Sequence, residues 1–74
     1  MTRLTATAQQ VIRVLEGQGW QLDHTRGSHY YYRHPNKLGM VSVPCHKATS
    51  LKPKTCRSIL DGAGISRGDF FKLR

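Results

Sequence analysis

Apolar residues near the start of the chain recur with the period of a helix. The stripe at i, i+3, i+4 and i+7 consists of Ala8, Val11, Ile12 and Leu15. Thr7 and Gln10 have the spacing of a capping box, in which each side chain satisfies a backbone amide at the helix start. Gly17 and Gly19 can each supply the left-handed residue that ends a helix. The pattern therefore predicts a helix within residues 7–19.

The period then changes to two, which is typical of strands. Trp20 and Leu22 alternate with polar residues and predict a half-buried strand that runs to about Thr25. Residues 26–28 predict a tight turn, and the aromatic run at 29–33 predicts a second strand.

A second turn and a third strand follow the aromatic run. Residues 35–39 begin with proline and end with glycine, which predicts a turn. Residues 40–43 place Val41 and Val43 on one strand face, and Pro44 ends the strand. Because both turns are short, the three strands are expected to form an antiparallel meander.

A second helical stripe lies in the last third of the chain, after a stretch at 46–54 that is largely polar and irregular apart from Leu51. Its members are Cys56, Ile59, Leu60 and Ala63. Pro53 suits the first helical turn, and Gly64 suits the helix end. Residues 65–66 are expected to begin a tail turn from which Phe70, Phe71 and Leu73 add to the core. The order α-β-β-β-α predicts an α+β fold, with two helices on one face of a three-stranded antiparallel sheet.

Length and charge narrow the class of protein. A chain of 74 residues supports one small core, so a single domain over residues 1–74 is expected. Twelve Lys and Arg against four Asp and Glu give a formal net charge of +8, which points to nucleic acid or an acidic protein as partner. No apolar run suits a membrane span or a signal peptide. Two cysteines are too few for a disulfide framework. A cytoplasmic protein without a membrane association is therefore expected.

The histidines are the candidate groups for proton transfer. His29 follows the Gly27-Ser28 turn at the start of a strand, where an imidazole can take or give a proton during attack of a ribose 2′-hydroxyl on phosphate. The alternative is a surface histidine at a strand end. His46 follows the third strand and can approach His29 if the strands are antiparallel, or it can simply order its loop. His24 and His34 are assigned solvent positions without a role.

Basic and aromatic residues surround this candidate. In the expected layout Arg26, Arg33 and Lys47 lie near His29 and can hold phosphates, although a solvated basic face is the alternative. A further basic cluster at the start of the second helix comprises Lys52, Lys54 and Arg57. Tyr30 and Tyr32 share one strand face, so at least one tyrosine is expected in the core with its hydroxyl at the edge.

Tyr31 shares the opposite face with His29 and Arg33, since all three have the same parity. Tyrosines on the uncovered face can stack on unpaired bases, although aromatic residues on strands more often serve packing. No paired ligand spacing such as C-x-x-C or H-x-x-x-H occurs, so neither a metal nor another cofactor is expected.

An ordered series of motifs resembles the HicA toxin family. The series spans about residues 11–70 and comprises Gly19-Trp20, Gly27-Ser28-His29, Tyr32-Arg33-His34-Pro35, Val43-Pro44-x-His46 and Ser58-Ile59-Leu60-x-x-Ala63-Gly64-Ile65. The resemblance implies a fold similar to the double-stranded RNA-binding domain and a metal-independent mRNA interferase activity. It also implies that His29 is the catalytic residue and that a HicB antitoxin neutralises the toxin. His46 matches the histidine that follows Val-Pro in the family.

Two functions are therefore consistent with the sequence. The first is the toxin of a type II toxin–antitoxin system, an endoribonuclease that cleaves mRNA and arrests translation and growth. In it His29 acts as general base or acid, Gly27 and Ser28 shape the turn, and the neighbouring basic residues hold the phosphate. The second is a non-catalytic module that binds double-stranded RNA, which explains the fold and charge but not the histidine at the turn.

Overall fold

The computed structural model describes residues 6–45 and 50–73, which form an α+β fold as the sequence predicts. Its elements are β1 (Ala6–Thr7), α1 (Ala8–Gly17), β2 (Gln21–Arg26), β3 (His29–His34), β4 (Lys37–Pro44), β5 (Ser50–Leu51), α2 (Pro53–Ala63) and α3 (Arg67–Leu73). The main sheet is antiparallel in the order β2-β3-β4. A separate two-residue antiparallel pair joins β1 to β5 and was not predicted.

The first helix begins and ends as its sequence indicates. The Thr7 hydroxyl accepts from the Gln10 amide at 3.2 Å, and the Gln10 side chain accepts from the Thr7 amide at 3.1 Å, so the predicted capping box is confirmed. Of the two glycines, Gly17 is the last helical residue, whereas Gly19 has a φ of +95°. Gly19 therefore makes the left-handed turn toward the sheet.

The prediction of a half-buried first strand is wrong. Every residue of β2 is exposed, and Leu22 keeps 48% of its surface accessible. Trp20 is buried but precedes the strand, which begins at Gln21. β2 is an edge strand, and its register with β3 shifts between Leu22 and His24, so regular alternation is lost there.

The turn predicted over residues 35–39 is shorter in the structure. Only Pro35 and Asn36 form the turn, and β4 starts at Lys37. The register with β3 shifts where Arg33 pairs with Met40 and His34 pairs with Lys37. Gly39 accommodates this irregularity with a φ of +83°.

The core lies on one face of the sheet, beneath the helices. Its fully buried large side chains are Phe70, Leu15, Leu60, Val11, Val14, Val43 and Cys56. The sheet contributes Tyr32, Val41 and Val43, and α1 and α2 both pack against β4. The expected core tyrosine is thus Tyr32, while Tyr30 is partly buried against the same cluster.

The second helix matches its prediction, whereas the tail differs. Pro53 occupies the first turn of α2, and Gly64 ends it with a φ of +72°. The ammonium of Lys37 donates to the Ala63 carbonyl at 2.9 Å, which ties β4 to the end of α2. The expected tail turn is instead the helix α3, whose Phe70 is buried and whose Leu73 is 46% exposed.

His34 links the first helix to the sheet, although the sequence assigned it a solvent position without a role. Its Nε2 lies 2.9 Å from the Gln18 carbonyl, and its Nδ1 accepts from the Asn36 amide at 3.0 Å. These contacts together require the tautomer with the proton on Nε2. Its ring also packs edge-on to Trp20, with 5.3 Å between ring centroids.

Gly19→Ala tests this link. A Cβ at Gly19 would lie 2.9 Å from His34 Nε2, and the φ of +95° is strained for alanine. The substitution is expected to lower the free energy of unfolding by about 1–3 kcal/mol. Gly17→Ala is the matched control, because it meets nothing within 4 Å and improves helix propensity. Thermal unfolding of both variants measures the difference, and equal stability would contradict this role of Gly19.

Candidate functional site

His29 is held at the junction of a tight turn and the central strand. Gly27 takes a φ of +60° in the turn, and the Ser28 carbonyl accepts from the Cys45 amide at 2.7 Å. His29 then pairs with Arg26 on β2 and with Pro44 on β4. Its backbone is therefore fixed on both sides while its side chain stays exposed.

An open cavity of about 350 Å³ adjoins His29 where α2 packs against the edge strand β4. The residues that line it are His29, Ser42, Pro44, Lys54, Thr55, Ser58 and Ile59. Three hydroxyls and an ammonium thus accompany the imidazole, and each of these groups can donate a hydrogen bond. Such a set suits an anionic ligand with several acceptor oxygens, such as a phosphate.

The charge distribution favours a negative ligand at this cavity. The four acidic residues of the chain lie elsewhere, at Glu16, Asp23, Asp61 and Asp69. The first turn of α2 contains no acidic residue. Lys52 and Lys54 stand at this end of α2, where the partial positive charge of the helix already attracts anions.

The predicted site residues divide into three groups. Arg26 is brought beside His29 by direct strand pairing, together with Gly27 and Ser28 of the turn. Arg33 shares the strand of His29 but lies four residues along it, roughly 13 Å away at the usual strand rise. His46 and Lys47 lie outside the described residues.

Arg33 is instead tied to the far part of the sheet. Its Nε lies 3.3 Å from one carboxylate oxygen of Asp23, and the other oxygen lies 2.6 Å from Nδ1 of His24. Both interactions are substantially exposed to solvent. The structure therefore does not bring Arg33 to the cavity, contrary to the expected layout.

Sequence reasoning missed part of the cavity wall. The sequence marks Lys54 only as a member of a basic cluster, and it gives no indication of Ser42, Thr55 and Ser58 as site residues. The basic character of the start of α2 was the available signal for Lys54. The hydroxyls carry no comparable signal, because only the packing of α2 on β4 brings them to His29.

The pKa values of two other groups in this region are raised, which favours their neutral forms. Burial raises the pKa of the Cys45 thiol, which disfavours the reactive thiolate. Burial also raises the pKa of Tyr32, with smaller contributions from Glu16, Cys45 and Tyr30. The Tyr32 hydroxyl and the Cys45 thiol are therefore poor candidates for proton transfer in this region.

A metal-binding cluster is not evident in the part of the chain that the structure describes. No three His, Cys, Asp or Glu side chains in residues 6–45 and 50–73 are grouped so that they could hold an ion. None of the helices in these ranges is long and apolar enough to cross a membrane.

The fold and site together define a small basic α+β protein, with a topology consistent with that of double-stranded RNA-binding domains. A family model described as HicA toxin of bacterial toxin-antitoxin matches residues 8–65 of the 74-residue chain. The chain therefore belongs to the HicA toxin family, as its motifs predict. A comparison with curated proteins gives no match.

Proposed function

We propose that this HicA family member is an endoribonuclease that cleaves mRNA in the cytoplasm and needs no metal ion. The observation that carries the proposal is the position of His29 in a cavity that hydroxyls and the ammonium of Lys54 line, with no carboxylate among the described residues of its wall. A proton-transfer group thereby stands beside a surface suited to phosphate. Membership of the HicA toxin family supports the proposal that this activity arrests growth.

The proposed reaction uses the RNA itself as nucleophile. His29 takes the proton of a ribose 2′-hydroxyl, and the 2′-oxygen then forms a bond to the adjacent phosphorus. The bond from phosphorus to the 5′-oxygen breaks, and the leaving oxygen takes a proton from water. The hydroxide that remains takes the proton that His29 gained, which restores the neutral imidazole. The products are a 2′,3′-cyclic phosphate and a 5′-hydroxyl, so neither an oxidant nor a second substrate is required. DNA lacks the 2′-hydroxyl and cannot react in this way.

Basic groups on both sides of His29 hold the scissile phosphate in this proposal. Arg26 approaches from β2 and Lys54 from α2, so their charges offset the negative charge that grows on the phosphate in the transition state. Gly27 and Ser28 supply the turn that fixes the histidine backbone. Arg33 contacts a flanking phosphate, because it lies farther along β3. His46 and Lys47 are kept as supporting residues on the strength of the sequence.

The same basic surface is the proposed contact for a HicB-like antitoxin. A net charge of +8 with exposed Arg26 and Lys54 at the site favours an acidic partner surface. Such a partner would prevent cleavage simply by covering His29 and excluding RNA. The antitoxin and the RNA therefore compete for one face of the toxin.

His29→Ala and His29→Gln test the catalytic role. Both variants are expected to lose cleavage of single-stranded RNA by at least about 100-fold, the usual contribution of a positioned acid or base. Their thermal unfolding should match that of the parent, because the His29 side chain is exposed and its strand pairing uses the backbone. Reactions in EDTA, resolved by gel electrophoresis, provide the measurement.

Glutamine keeps the polarity of histidine but cannot exchange a proton near neutrality, so it separates proton transfer from hydrogen bonding. Full cleavage by either His29 variant would contradict the assignment. If the parent protein binds duplex RNA in preference to single strands and cuts neither, the non-catalytic double-stranded RNA-binding module is the better interpretation.

Lys54→Ala and Arg13→Ala test where the phosphate binds. Each removes one exposed positive charge, but only Lys54 lines the cavity. Lys54→Ala should weaken binding of a 2′-O-methyl oligonucleotide, which cannot be cleaved, and lower the slope of log affinity against log salt by about 0.7. Arg13→Ala should leave the slope nearly unchanged. Equal losses in both variants would indicate a diffuse basic surface instead of a defined phosphate contact.

A further inference from the structure

The uncovered face of the sheet carries an aromatic stack next to the candidate site. The rings of His24 on β2 and Tyr31 on β3 lie parallel within 8°, with 4.5 Å between centroids. The helices pack against the opposite face, so this stack lies on the side open to solvent. We propose that it is the platform on which one unpaired base of the RNA substrate stacks while the neighbouring phosphate lies at His29. This inference rests on the proposed ribonuclease function and specifies its substrate as single-stranded RNA.

Asp23 holds the platform in place. The register shift in β2 falls at this residue, so Asp23 has no pairing partner on β3. One of its carboxylate oxygens lies 2.6 Å from Nδ1 of His24, and the other lies 3.3 Å from Nε of Arg33. The carboxylate thereby orients the imidazole that stacks on Tyr31. Exposed polar contacts of this kind add little stability, so their main effect here is to order the aromatic pair.

On the side of β4, the neighbour of Tyr31 is small. Tyr31 is stacked by His24 from the β2 side, and its partner on β4 is Ser42, a small residue. A flat base can therefore lie against the remaining face of the Tyr31 ring, above Ser42. Ser42 also lines the cavity beside His29, so a base in this position would lie next to the cavity.

The distance between platform and histidine suits a single nucleotide. Tyr31 is two residues after His29 on the same strand face, about 7 Å along β3. A base on Tyr31 can thus belong to a nucleotide whose own phosphate or 2′-hydroxyl reaches His29. The exposed guanidinium of Arg33 lies two residues farther on, where it can contact the next phosphate along the strand.

The chemistry of this surface selects unpaired RNA. Aromatic faces stack on any base, so the platform is tolerant of sequence, but the base must first be free of its own duplex. The protein is therefore expected to bind and cut single strands and loops in preference to paired regions.

Tyr31→Ala, Tyr31→Phe and the control Leu38→Ala test the platform. The probe is a single-stranded 2′-O-methyl oligonucleotide containing 2-aminopurine, whose fluorescence is quenched by stacking. Tyr31→Ala should weaken binding by roughly 5- to 150-fold and abolish the quenching, which is the usual effect of removing one base stack. Tyr31→Phe keeps the ring and should bind like the parent. Leu38 is fully exposed at the far turn, so its truncation should change nothing.

Equal binding by Tyr31→Ala and Leu38→Ala would overturn the inference and leave this face to a protein partner. An equal loss in Tyr31→Phe would also overturn it, because the hydroxyl and not the ring would then be the contact. The probe cannot be cleaved, so these results are independent of catalysis. A parent protein that quenches the probe through Tyr31 but cuts no RNA would support the platform and refute the ribonuclease proposal. Thermal unfolding of each variant confirms that it is folded.

Discussion

Burial of Tyr32 in the central strand fixes the positions of all the candidate side chains on that strand. β3 is paired on both sides, and Tyr32 lies in the core opposite Val41 of β4. Because side chains alternate along a strand, His29, Tyr31 and Arg33 must then lie on the sheet face opposite the buried Tyr32. A register slip of one residue would bury these polar groups and expose the tyrosine, so the core strongly disfavours it.

The second helix completes the site through the same kind of constraint. Its apolar stripe, which includes Ile59 and Leu60, packs α2 onto the core beside β4. The residues on its other side, Lys54, Thr55 and Ser58, are then carried to the cavity at His29. The candidate chemistry is thus assembled from elements that are far apart in sequence and that are held together mainly by apolar packing, with the hydrogen bond from Lys37 to the Ala63 carbonyl at the end of α2.

The sequence predicts those features that depend on local rules. Three such features are predicted correctly, because each depends only on residues close together in one element. They are the capping box at Thr7, the left-handed Gly64 and the buried stripe of α2. The exposure of β2 is not predictable in this way. The strand lies at the edge of the sheet, and its irregular register removes the burial that an alternating pattern implies. The helix α3 was missed although a local signal existed, the Ser66 hydroxyl that accepts from the Asp69 amide at 3.1 Å.

The candidate site was predictable to a similar extent. The turn at Gly27 and the adjacent histidine were identified from motif and parity, and direct pairing places Arg26 beside His29 as expected. The cavity hydroxyls and the Asp23 contacts were beyond sequence reasoning. The positions of the hydroxyls depend on long-range packing. The Asp23 contacts depend on a shift of strand register that no residue pattern predicts.

The central claim is that the RNA 2′-hydroxyl attacks its own phosphate with His29 as the base. It is tested most directly with an oligoribonucleotide that the protein cuts at one position and with the same oligonucleotide carrying a single 2′-deoxy nucleotide immediately 5′ to that phosphate. With the parent protein in EDTA, the all-RNA substrate should yield a 2′,3′-cyclic phosphate and a 5′-hydroxyl end, and the 2′-deoxy substrate should remain intact at that position. Cleavage at the 2′-deoxy nucleotide, or a 5′-phosphate on the product, would contradict the account.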